Sequence, residues 1–300
     1  MKFISPETYC YELGTSVPPI AQLKVGQVYR IATNDSRTGR LRKAEDVLTS
    51  VPKPVGDNPM VNPATGPFAI EGAEVGDTLV VEIVDIQLGD QGYLMAKEGQ
   101  GLLGPEAKQT MAKIVPVKDN MCHFAPDIIF PVRPMVGVIG TAPKDKPVPT
   151  IHVGDTGGNM DNHLITTGTK VFLPVEVAGA YLFIGDVHAA MGDGEISGTA
   201  LEVQAEVTFT VDLIKGQSTP LPYLETETLF VTTGHGPTFP EAARQAVHDM
   251  GRRLVEGRGL TWEDAMMLLS AIGDLRICQS CGHPLEVTVR MEIPKEFMTP

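Results

Sequence analysis

Between Leu201 and Leu213 every odd position is apolar (Leu201, Val203, Ala205, Val207, Phe209, Val211, Leu213) and every even one polar or charged (Glu202, Gln204, Glu206, Thr208, Thr210, Asp212). Side chains on a strand alternate between its two faces, so an unbroken alternation of this length predicts a half-buried strand. A second apolar run, from Tyr181 to Ile184, ends in Gly185-Asp186-Val187-His188, and the small residues Ala189, Ala190, Met191 and Gly192 lead on from it. If the two runs pair as a hairpin, and the parity of the long strand is carried back through Ser197, then Asp186, His188 and Glu195 meet at one end of an apolar pocket. Carboxylates and an imidazole placed there are costly unless they pair or bind a metal.

Further alternating or apolar stretches at residues 25–35, 75–85, 130–140, 229–233 and 285–293 predict more strands. Residues 50–66, rich in proline, read as a loop. Residues 89–116 are weakly patterned and read as a flexible excursion. Helix is predicted only late in the chain. Thr238-Phe239-Pro240-Glu241 offers a cap, a proline in the first turn and an acid near the positive end of the helix dipole. Ala243, Ala246, Val247, Met250 and Leu254 then share a face, and Gly257 or Gly259 stops the helix. A second helix begins at Thr261, with Asp264 three residues on, and ends at Gly273. The expected fold is mainly β (α+β): a large β-sandwich or barrel part over residues 1–220, with a smaller C-terminal α+β part over 221–300 carrying both helices.

Composition narrows the function classes. The net charge of −13, with no stripe of Lys and Arg, argues against a nucleic-acid or anionic-membrane surface. Apolar runs are far shorter than a membrane span, and the N-terminal segment has no apolar core of signal-peptide length. Cys10, Cys122, Cys278 and Cys281 make no disulfide framework in a chain of 300 residues. A cytoplasmic protein is expected. The 24 prolines and 31 glycines imply many turns, consistent with a strand-rich fold.

Several motifs, taken in order, resemble the acetamidase/formamidase family. They are Asn62-Pro63-Ala64-Thr65-Gly66-Pro67, Glu71-Gly72-Ala73-Glu74-Val75-Gly76-Asp77, Arg133-Pro134-Met135-Val136-Gly137-Val138-Ile139-Gly140, Gly157-Gly158-Asn159-Met160-Asp161 and Leu173-Pro174-Val175. The most specific is Gly185-Asp186-Val187-His188-Ala189-Ala190-Met191-Gly192-Asp193-Gly194-Glu195, and Leu268-Leu269-Ser270-Ala271-Ile272-Gly273-Asp274-Leu275-Arg276-Ile277 closes the set. The resemblance implies a β-rich fold, a homo-oligomer (a dimer), bound divalent cations, and hydrolysis of short amides such as formamide or acetamide. The chain departs from the family at Met191, where glutamine is common, and in lacking a histidine shortly before Asn62.

Amide hydrolysis needs an activated nucleophile and stabilisation of the oxyanion. No Gly-x-Ser-x-Gly motif is present, and the cysteines carry no local catalytic signature. The carboxylates and histidine of the opening motif suit metal-activated water instead. The expected catalytic residues are Glu195, His188 and Asp161. The expected metal ligands are Asp186, His188, Glu195 and Asp155, with Glu195 either ligand or general base. Zinc is favoured by the histidine, while the carboxylates admit calcium. Two other readings stay open: a cupin-like oxygenase, which needs two histidines and a carboxylate, and a non-catalytic cation-stabilised module. Cys278-Gln279-Ser280-Cys281 followed by His283 is half a zinc site and reads better as structural thiols whose replacement leaves activity intact. His235, ahead of the first helix, is a candidate neighbour of the site.

Overall fold

The structure, a computed structural model, describes residues 2–5, 7–50, 54–55, 58–281 and 285–298; His283 lies outside the described residues. The elements that position the site are, in chain order, β1 (Val28–Thr33), β2 (Ala64–Ile70), β3 (Thr78–Ala96), β4 (Met111–Lys118), β5 (Met135–Gly140), β6 (Gly157–Asn159), β7 (Lys170–Pro174) and β8 (Leu182–His188). They continue with β9 (Glu202–Ile214), β10 (Tyr223–Glu225), β11 (Leu229–Gly236), α1 (Phe239–Arg258), α2 (Trp262–Ile272), β12 (Asp274–Gln279) and β13 (Val287–Pro294). The fold is mainly β, as expected: one large, curled, largely antiparallel sheet, with two helices near the C-terminus.

The alternating segment is β9, a strand of 13 residues, and it lies between β1 and β3. Its odd positions enter the main core: Val207 and Phe209 pack with Ile31 of β1 and Val81 and Ile83 of β3. Burying a side chain of this size stabilises by about 1.5–3 kcal/mol. A second group is built on β8, which pairs with β2 on one side and β5 on the other. All seven residues of β8 are buried, as befits a strand covered on both faces. The two groups touch in the ladder where His188 faces Glu202.

Backbone pairing crosses residue 220 without a break. β7 pairs with β3 and also with β10, and the rings of Phe172 and Tyr223 stack with centroids 4.2 Å apart. From β10 the sheet runs through β11 and β13 to β12. On it lies α1, whose Ala246, Met250 and Leu254 meet Val289, Met291 and Ile293 of β13 in a second core. Pro240 opens α1, and Gly259, at φ 67°, closes it by donating its N–H to the Val255 carbonyl. At α2 the Thr261 side chain accepts from the Asp264 N–H, the cap expected from the sequence.

Residues 89–116 correct the expected flexible excursion. β3 runs for 19 residues to Ala96, and β4 returns alongside it from Met111. Register shifts opposite Val203/Ala205 and Thr208/Phe209 break the alternation of β3. Gly92 looked like a loop residue for another reason: a Cβ there would stand 2.5 Å from the Glu202 carbonyl oxygen, so the strands approach this closely only with glycine.

Candidate active site

Asp161, Asp186, His188, Glu195 and Glu202 converge where β8 meets β9, and all five are buried. Asp161 follows β6; Asp186 and His188 lie in β8; Glu202 opens β9 opposite His188. Glu195 belongs to the turn between them. Asp161, Asp186 and Glu195 have φ of 41°, 54° and 42°, the left-handed region that L residues avoid. Strain of this kind, of order 1–3 kcal/mol per residue, persists where the surroundings over-determine a site. Gly137 leaves the room: a Cβ there would lie 2.6 Å from Asp161 Oδ1 and 2.8 Å from the Asp186 carbonyl oxygen.

The expected hairpin therefore closes at one pair of residues, and strand parity does not place Glu195. The turn is held from the C-terminal strands instead. Gly194 N–H donates to the Cys278 carbonyl, and Ser280 N–H donates to the Gly194 carbonyl. The Gln279 amide donates to Asp161 Oδ2 and, at 3.1 Å, to Glu195 Oε2. The Cys281 thiol also reaches Glu195 Oε2, at 3.2 Å. The cysteine pair is thus buried around the site, with Cys281 fixing a candidate catalytic side chain. Next to it, Asp193 Oδ1 and Oδ2 accept from the Arg290 guanidinium at 2.7 and 2.8 Å.

His188 Nε2 stands 3.6 Å from Asp186 Oδ2 and 3.4 Å from Glu202 Oε1, and Nδ1 stands 3.9 Å from Asp161 Oδ1. None of these makes a hydrogen bond. Both imidazole nitrogens, together with Asp161 Oδ1, Asp186 Oδ1 and Glu202 Oε2, are buried without a partner. Such groups cost about 1–3 kcal/mol each unless something satisfies them. Asp161, Asp186 and His188 offer ligand atoms within 4.8 Å of one another, and so do His188, Glu195 and Glu202. Asp155 is a correction. The turn between Gly154 and Gly157 points it outward, where it is 66% exposed and pairs with His235 Nε2 at 3.0 Å. His235 stands with it, outside the cluster. Glu202 and Gln279 were missed: the first read as one solvent-facing member of a polar series, and the second sat between two more conspicuous cysteines.

Burial and then the charge of Glu202 push the Asp186 carboxyl up to about 6, against the pull of His188. Burial and then Glu195 raise Asp161 well above the usual range, and burial raises Glu195. Burial alone would lower His188, but the neighbouring Glu202 and Asp186 carboxylates outweigh it and hold the imidazole well above its ordinary value. The folded, cation-free cluster thus retains protons that the unfolded chain releases. The contribution of Asp186 to stability is complete below roughly pH 4 and is lost as pH rises through about 6, its folded value, while that of His188 persists to higher pH. A bound cation replaces those protons. Were the cluster to bind a divalent cation, the rise in Tm on adding it would widen across this window, measured by calorimetry. A pH-independent rise would contradict the raised carboxyls.

The family model for the Acetamidase/Formamidase family matches residues 13–152 and 144–297, nearly the whole chain. The chain belongs to the acetamidase/formamidase family. An acetamidase from Bacillus halodurans is 38% identical, with 98% of each chain covered and a TM-score of 0.92. A predicted acetamidase/formamidase from Thermoanaerobacter tengcongensis is 33% identical over 99% of this chain and 97% of the other, with a TM-score of 0.93. The formamidase of Methylophilus methylotrophus is 27% identical over 260 residues, 66% of this chain and 62% of that protein. The chain thus spans under two thirds of the curated relative's length. For an acetamidase/formamidase family member the expected class, an amidohydrolase, is borne out at the level of the family. No helix among the described residues is long and apolar enough to cross a membrane.

Proposed function

We propose that the chain hydrolyses the C–N bond of linear amides, of which formamide and acetamide are the simplest, to ammonia and the carboxylate. The observation that carries this reading is the buried set of unpartnered imidazole and carboxylate atoms in a chain of this family. One imidazole and several carboxylates are a fitting donor set for a divalent cation, zinc first and calcium as the alternative. Asp161, Asp186, His188 and Glu202 would hold it, with Glu202 taking the place expected for Asp155. A bound ion supplies a water of lowered pKa and a Lewis acid for the amide oxygen. Glu195 is the general base: Gln279 and Cys281 fix its Oε2, leaving Oε1 to take the proton from water and pass it to the leaving nitrogen. The cupin-like reading is disfavoured because the cluster holds one imidazole among the described residues.

Ammonia release from acetamide, measured before and after chelation beside elemental analysis, tests the reading. Activity should vanish with the metal and return when it is restored; full activity in demonstrably metal-free protein overturns the mechanism. Light scattering on the same sample tests the homodimer that belongs to this reading. Trp262, Met266 and Met267 of α2 and Leu275 of β12, all exposed, give an apolar face for a second copy.

A further inference from the structure

The space above the site is much larger than the simplest amides need. A cavity of about 350 Å³ ends on Glu195, Glu202 and Gln279. Acetamide fills little more than two or three waters, at roughly 30 Å³ each. Pockets of a few hundred Å³ usually take larger ligands, held by apolar walls and oriented by a few polar groups. Here the walls above the carboxylates include Val47, Val61, Met95 and Ile151. The guanidinium on this wall, Arg37, is turned to the protein: Nη1 donates to the Ser50 carbonyl at 3.0 Å, and Nη2 to Met95 Sδ at 3.6 Å. Asn62, Lys97, Gln100 and Asn159 share the lining with these apolar side chains, so the apolar body of a ligand has a wall to lie against but polar groups are not confined to the floor.

We propose that the preferred substrate is a primary amide whose acyl group carries an apolar body larger than acetyl, on the scale of hexanamide or phenylacetamide. The inference rests on the amidase reading and adds the substrate class. The amide sits on the carboxylate floor, and the apolar body lies against Val47, Val61, Met95 and Ile151. Transfer of each added methylene from water to such a wall raises kcat/KM by about three- to fourfold until the cavity is filled.

The test is ammonia release by the full chain, as purified and after cation addition, from formamide, acetamide, butyramide, hexanamide and phenylacetamide. Calorimetric binding of acetate, hexanoate and phenylacetate is measured in parallel. The expected result is a rise in kcat/KM of at least about tenfold from acetamide to hexanamide, with the longer acids binding more tightly than acetate. Val47→Trp should lower the hexanamide-to-acetamide ratio about tenfold; Val61→Phe replaces it if the first variant does not fold. A ratio below one in the parent protein overturns the inference and leaves the amidase reading standing. Absence of ammonia from every amide overturns the amidase reading, and the acid affinities then decide the inference alone: equal binding of acetate and phenylacetate sinks it.

Discussion

Glu195→Gln is expected to lower kcat for acetamide by about 10²–10⁴-fold while the divalent cation stays bound. The substitution keeps the shape of the side chain and an oxygen to accept from Gln279 and Cys281, so the turn survives. What it removes is the ability to take a proton from water. Measuring metal content beside kcat separates the two roles open to this residue. Loss of metal together with activity makes Glu195 a ligand, whereas kcat within tenfold of the parent removes it from both roles.

Arg290→Met is expected to destabilise the fold by about 3 kcal/mol. The Arg290 side chain is 2% exposed and donates to both oxygens of Asp193 and, at 2.5 Å, to Glu292. Burial opposes charge on Asp193, but hydrogen bonds from His163 and Arg290 win and hold its carboxyl well below the usual range. Removing the cation takes two donors from Asp193, which keeps His163, and leaves the largely buried Glu292 without its partner, which costs more than that pair contributes when intact. Asp193 is two residues from Glu195, so activity should fall along with stability. Denaturant unfolding measures the first effect. A change below about 1 kcal/mol, the range of exposed ion pairs, would show that Arg290 anchors nothing.

Much of the fold can be read from side-chain periodicity because β9 and the two helices bury one face and leave the other polar or partly exposed. Where both faces are covered or the register slips, the pattern fades. β3 loses its alternation to bulges and to Gly92, and β12 has exposed residues at four consecutive positions, from Asp274 to Ile277, so no alternation marks it. The core of the site was legible because Asp186 and His188 lie on one strand and Glu195 follows shortly after. Glu202 was hidden by the regularity that revealed its strand, since a polar residue at an even position looks solvent-facing until the neighbouring strand covers it. Gln279 was beyond local patterns altogether: 118 residues separate it from Asp161, and only tertiary pairing brings them together. Asp155 erred in the opposite direction, being close to Asp161 in sequence yet turned outward by a tight reversal.

The side chains that steady the acids are supplied by β12 and β13, the last strands among the described residues. During synthesis at roughly 5–20 residues per second, Asp161, Asp186, His188, Glu195 and Glu202 leave the ribosome several seconds before Gln279 and Arg290 exist. For that interval four carboxyl groups and one imidazole lack the contacts from Gln279, and the turn that carries Glu195 lacks its partners on β12. Completion of the site therefore waits on β12, and a chain cut short before it lacks the Gln279 contacts that tie Glu195 to Asp161, however well its first strands have paired.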